Sequence, residues 1–232
     1  MLGQHDQELT SARKARNQYP DLLGVLYFEA RALAVLGKAE DASHLLDQSV
    51  NLPPQAGATP GSVAYLTGLE FLAHGDSVAA EGAFARAVAW YQKLPEQQQS
   101  GELMGYGEAL YYARRYAEAG EVFGRVCTST PNTPPCLGWA GLVKARSGQR
   151  QEALALKQAI GKTDSTPRSR IAQQAYWQAR IAAVVGDRDG AVELFRRAFT
   201  YGWAHGAEDH REYDFRALLD YPPFTELLKP TG

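Results

Sequence analysis

Positive charge is not in excess in this chain. Its 232 residues carry 24 Lys and Arg against 26 Asp and Glu, a formal net charge of −2, and neither half is strongly basic. Nucleic acid and anionic membrane are therefore not expected as partners, because both draw affinity from clustered Lys and Arg. Long apolar runs are missing too. The most apolar stretch, residues 22–37, is broken by Glu29 and Arg31. It falls short of the roughly 20 apolar residues that cross a bilayer. The opening MLGQHDQELT has no basic segment followed by an apolar core, so no signal peptide is expected in it. Catalytic signatures are absent as well: there is no CxxC, no nucleophile elbow and no kinase motif. GELMGYGE, with Gly101, Gly105 and Gly107, follows no strand-like segment and has no adjacent Lys-Ser or Lys-Thr, so it is not read as a phosphate loop. The expectation is a chain that is not an enzyme and takes no cofactor.

What is present is a globular composition, 45% hydrophobic and 22% charged, arranged in a repeated beat. Small residues interrupt helix-like apolar patterns at Ala30, Gly68, Gly107, Gly141 and Ala179. Seven residues later come turn positions, Gly37, Gly75, Arg114, Gly148 and Gly186. Five further on lie Ala42, Ala80, Ala119, Ala153 and Ala191, and four after those Leu46, Phe84, Phe123, Lys157 and Phe195. Two helices joined by a tight turn approach closely only where both carry small side chains. Gly or Ala in the first helix therefore faces Ala in the second, and a large apolar residue one turn on fills the wedge toward the next pair. Glycine at the turn accepts the left-handed conformation that ends the first helix. Pro54, Pro95, Pro131 and Pro167 stop the second helices. The connecting stretches PPQAGATPG, LPEQQQSG, STPNTPP and GKTDSTPR read as surface loops.

The turn positions are spaced by 38, 39, 34 and 38 residues. This pattern resembles the tetratricopeptide repeat, whose unit is about 34 residues. The resemblance covers most of the chain. It implies an all-α fold, an α-solenoid of antiparallel helix pairs in a tetratricopeptide-like superhelix, with a C-terminal helical cap. Two departures stand out: Lys157 at a core position, and the missing Trp, Leu and Tyr of several first helices. The expected organisation is a half repeat over residues 1–20 acting as N-terminal cap, five helix pairs over 21–203, and a cap over 204–232. Gly3 and Pro20 sit seventeen residues apart, as Gly37 and Pro54 do. The first unit thus looks halved, either because the chain is a fragment or because the half repeat is itself a cap. In it, Leu9 and Ala12 are expected to pack against the first complete pair.

The tail YDFRALLDYPPFTELLKP and the phrase EARALAVLGKAEDASHLLDQSV resemble the C-terminal repeat regions of large bacterial signalling proteins, among them serine/threonine kinases and winged-helix regulators. That likeness implies a regulatory or sensor module. The tail is expected to form a short helix near Phe215 to Leu219 and a last helix after Pro222 and Pro223. Phe215, Leu218, Phe224 and Leu227 would then cover the final repeat.

Within the resemblance, one face of the first helices lines the concave groove. Tyr27, Tyr65 and Tyr176 share one place in their repeats, and Arg31 and Arg180 follow one turn after two of them. Glu108 and Tyr111 extend the stripe. These seven are the expected partner-binding residues; the alternative is that aromatics at helical spacing are core. The Lys/Asn/Arg clamp with which some relatives hold a C-terminal carboxylate is not expected, since those places carry residues such as Tyr27, Leu69 and Glu108. The expected partner is a protein or peptide segment, with self-association through the end repeats as the rival reading. His205, Glu208, Asp209 and His210 invite a metal reading, but two histidines five apart in a loop do not match helical zinc spacing, and no metal is expected. Cys127 and Cys136, the only cysteines, lie nine apart at the end of one helix and the start of the next. They form either a disulfide, which an exported compartment favours, or two reduced, partly buried thiols, which suit the cytoplasm.

Overall fold

The computed structural model describes residues 4–164, 166–204 and 212–229. The chain divides into two compact units, Met1–Arg115 and Tyr116–Gly232. Unit 1 holds α1 (His5–Gln18), α2 (Leu23–Val35), α3 (Ala39–Ser49), α4 (Pro60–Ala73), α5 (Ser77–Gln92), α6 (Glu96–Gly101) and α7 (Leu103–Tyr112). Unit 2 holds α8 (Tyr116–Val126), α9 (Pro134–Arg146), α10 (Arg150–Gly161), α11 (Arg168–Val184), α12 (Arg188–Thr200), a 3-10 helix (Tyr213–Leu218) and α13 (Pro222–Leu227). Among the described residues there is no strand, only a bridge between Gln55 and Ala58. No described helix is long and apolar enough to cross a membrane.

The pairs α2/α3, α4/α5, α9/α10 and α11/α12 pack side by side across tight turns, and in each unit successive first helices also touch: α2 with α4, and α9 with α11. This is the stacked antiparallel helix-pair architecture the repeat implies. At each turn the chain reverses through a positive φ, at Gly37 (69°), Gly75 (88°), Gly148 (77°) and Gly186 (84°). The amide three residues past the helix end reaches back five residues: Lys38 to the Leu33 carbonyl and Asp76 to that of Phe71, both at 2.9 Å. These bonds satisfy carbonyls the helix would otherwise leave open. Asp76 and Asp187 then cap the next helices by accepting from the amides of Ala79 (2.9 Å) and Gly190 (3.1 Å).

The spacing argument reappears in the packing. Ala42, Ala80, Ala119, Ala153 and Ala191 are all 0% exposed. A Cβ placed on Gly68 would come within 2.6 Å of the Phe84 ring, so glycine there permits the approach of α4 and α5. Lys157, at the wedge position, is half-buried and its ammonium reaches Asp187 at 3.3 Å. In the tail, Phe215, Leu218 and Phe224 are fully buried, and Leu228 rather than Leu227 is the buried leucine of the last turn.

Two expectations about links are corrected. LPEQQQSG is not a loop: Pro95 is the N-cap of α6, a short helix rich in Gln, a good helix former, with Glu96 in the first turn. Pro60 and Pro134 begin α4 and α9 at their first turns, where a missing N–H costs nothing, rather than lying in the links.

Candidate functional site

In unit 1 the first helices α2 and α4 carry Tyr27, Arg31 and Tyr65, all half-buried. The Arg31 guanidinium lies 5.9 Å from the Tyr27 ring centroid and 5.3 Å from that of Phe28. It donates to Glu8 of α1 from Nε at 2.9 Å and from Nη2 as well. Burial alone would lower the Arg31 pKa; the hydrogen bond and charge of Glu8, with Tyr27 and Glu70 adding, outweigh that and raise it. Glu29 of α2, nearly inaccessible, is paired with Arg13 at 3.3 Å and Arg16 at 3.1 Å, which also ties α1 to α2. The Tyr65 ring contacts those of Phe84 and Tyr112, at 6.3 and 5.7 Å between centroids.

Glu108 on α7 is half-buried, whereas Tyr111 is 0% exposed and stands edge-on to Tyr112. Tyr111 is thus a core residue and presents no surface to a partner. Nearby, Tyr91 of α5 is buried with its hydroxyl against Gly105, and burial pushes its phenol up to about 12, with Glu102 and Glu108 adding and a hydrogen bond to Thr59 opposing. Burial also raises the Glu102 carboxyl above its ordinary value.

Unit 2 uses the equivalent residues differently. Tyr176 and Arg180 of α11 are 8% and 4% exposed. Tyr176 stacks on Trp203 at 3.9 Å and 13°, and its hydroxyl lies 3.2 Å from Glu212. Arg180 donates from Nε and Nη2 to Asp214 of the tail, at 3.0 and 2.8 Å, and lies 3.3 Å from Glu212. Its guanidinium also lies 4.8 Å from the Trp139 centroid and 4.6 Å from that of Trp177. Arg146 takes the other Asp214 oxygen at 2.8 Å and covers the Tyr213 ring at 4.4 Å. The correction is physical: a guanidinium buried, doubly hydrogen-bonded and stacked is already engaged within its own unit. Tyr176 and Arg180 anchor the chain's own tail.

Glu212 and Asp214 are the residues that sequence reasoning missed here. The signal that could have found them is an acidic pair at the start of the tail facing a buried arginine two helices earlier. Cys127, just past α8, and Cys136, in the first turn of α9, are joined in a disulfide with their Cα atoms 5.7 Å apart. The cluster of His205, Glu208, Asp209 and His210 lies outside the described residues. Among the described residues no group of three or more His, Cys, Asp or Glu is placed to hold a metal ion.

No protein-family model matches the chain. No curated protein matches it in sequence. Among solved structures, a tetratricopeptide repeat protein from Parabacteroides merdae aligns over 90% of this chain and 76% of its own, at 16% identity and a TM-score of 0.49. The C-terminal part of a TPR repeat-containing protein from Cytophaga hutchinsonii aligns over 89% of this chain and 94% of its own, at 13% identity and a TM-score of 0.30. The helix pairing within each unit, rather than these likenesses, establishes the fold.

Proposed function

We propose that the chain is a non-catalytic scaffold that binds a protein or peptide segment through the face of α2, α4 and α7 in unit 1. The observation that carries this reading is that Tyr27 and Tyr65 stand at one repeat position on neighbouring first helices and both keep part of their surface exposed. Arg31 lies beside Tyr27, and Glu108 is partly open on α7. Tyr and Arg dominate many interfaces because each combines a large apolar area with a directional polar group. A scaffold folded before binding spends little on ordering its contact residues. Tyr111, Tyr176 and Arg180 are not part of the proposed contact set.

The proposal extends to context: a regulatory or sensor module of a bacterial signalling protein, with the effector elsewhere. Its support is the resemblance of YDFRALLDYPPFTELLKP and EARALAVLGKAEDASHLLDQSV to such regions. The test is affinity capture from bacterial lysate with wild type, a Tyr27→Ala/Tyr65→Ala variant and an outer-face Glu81→Ala/Glu193→Ala variant. A partner kept by the outer-face variant and lost by the tyrosine variant supports the reading. A partner lost equally from both contradicts it.

A further inference from the structure

Residues 27–31, YFEAR, and 176–180, YWQAR, are near-copies at the same place in α2 and α11. In α11 the neighbouring first helix α9 completes the motif. Trp177 is 8% exposed, and its ring lies so close to Gly138 of α9 that a Cβ there would approach it to 2.2 Å. Trp139, the next residue of α9, lies 4.8 Å from the Arg180 guanidinium. In α2 the counterpart of Trp177 is far less covered. Phe28, the counterpart of Trp177, is 48% exposed, against 4% for Trp139 and 8% for Trp177 at the same repeat position. Beside it runs a groove of about 420 Å³ between α1 and α2, floored by Ser11, Ala12, Ala15, Val25 and Phe28.

The repeat itself states which shape fits. At three junctions inside the units where a second helix meets the next first helix, the preceding first helix lies against both. α2 does so against α3 and α4, α4 against α5 and α7, and α9 against α10 and α11. α1 meets α2 in the same way, and among the described residues the groove between them is lined by α1, by α2 and by Gln4.

We infer that this groove docks an amphipathic helix of a partner protein, antiparallel to α1, carrying Gly or Ala followed by an aromatic residue. The small residue seats the Phe28 ring as Gly138 seats Trp177, and the aromatic covers the Arg31 guanidinium as Trp139 covers Arg180. Antiparallel follows from α9 and α10, which are joined by the tight turn at Gly148. A second copy of the chain cannot supply this helix from α9, because its Gly138 and Trp139 are buried in their own unit. The inference goes beyond the proposed function: the groove shares Arg31 with that face but is read by Phe28 and Ala15, and Tyr65 does not line it.

The probe is a labelled, lactam-stapled peptide with the sequence of residues 134–146 and Cys136→Ala, titrated against the full chain by fluorescence anisotropy. Saturable binding is expected, weakened about tenfold or more by Phe28→Ala, by Ala15→Arg and by Gly138→Leu within the peptide. Tyr65→Ala should leave it unchanged, and circular dichroism checks that each variant is folded. No saturable binding up to about 1 mM overturns the inference, as does binding that survives both Phe28→Ala and Ala15→Arg. A concentration-dependent dimer abolished by Ala15→Arg in sedimentation would give the groove to a second copy and overturn it too.

Discussion

Arg180 and Asp214, 34 residues apart, form a buried two-pronged pair in which Nε and Nη2 both donate to one carboxylate oxygen, with side chains 5% and 0% exposed. The same carboxylate accepts from Arg146. Removing the acid takes the buried carboxylate from two guanidiniums at once and leaves Arg180 with Glu212 at 3.3 Å, which costs far more than a surface pair is worth. Asp214→Ala should therefore destabilise the protein by about 3–5 kcal/mol. Urea unfolding followed by tryptophan fluorescence checks this, and a loss under about 1 kcal/mol would show that the tail is not anchored through Asp214.

Tyr91 sets a pH dependence. Its phenol is raised from 10.0 to about 12, chiefly by burial. Between those values the unfolded chain binds fewer protons than the folded one, so stability falls as pH rises through this window and is fully present below pH 10. The loss is on the order of 2–3 kcal/mol. Tyr91→Phe should remove that part of the alkaline limb. Limbs that coincide for wild type and Tyr91→Phe would contradict the assignment.

Much of the fold was readable from spacing, because close helix approach admits few residue types. Ala42 and Ala80 could be placed from the repeat and are 0% exposed, and so could Gly68, where a Cβ would come within 2.6 Å of the Phe84 ring. The candidate site was readable only in part. Tyr27 and Tyr176, or Arg31 and Arg180, are indistinguishable by repeat position; what separates them is a tail that returns to α11 with Glu212 and Asp214. Such long-range contacts obey no period. The helix α6 was hidden for a different reason, since Pro and Ser flanking a run of Gln read as a loop until Pro95 is placed before the first turn.

The disulfide of Cys127 and Cys136 closes a loop of nine residues' separation between α8 and α9. Its constraint on the unfolded chain is worth about 2–3 kcal/mol. Replacing both cysteines with serine should lower the unfolding free energy by that amount. Thiol titration of unfolded, unreduced protein should return no free thiol, and two would contradict the bond.

Arg114 stands where the other turns have glycine, with φ at 61°. That conformation costs an L-residue about 1–2 kcal/mol. The greater freedom of glycine in the unfolded chain offsets about 0.5–1 kcal/mol of any gain. The ion pair of Arg114 with Glu81, 3.9 Å and exposed, contributes little. Arg114→Gly should thus stabilise the protein by about 0.5–1 kcal/mol, read as a higher denaturation midpoint. A lower midpoint would mean that the arginine side chain does more than this turn requires.

The most direct test of the binding face is site-specific photo-crosslinking in the cell. A benzoylphenylalanine placed at Tyr65, on the half-buried face of α4, is compared with one at exposed Glu81 on α5. The account predicts a discrete crosslinked partner from position 65 and none from 81. A partner captured from 81 alone, or equally from both, would contradict it.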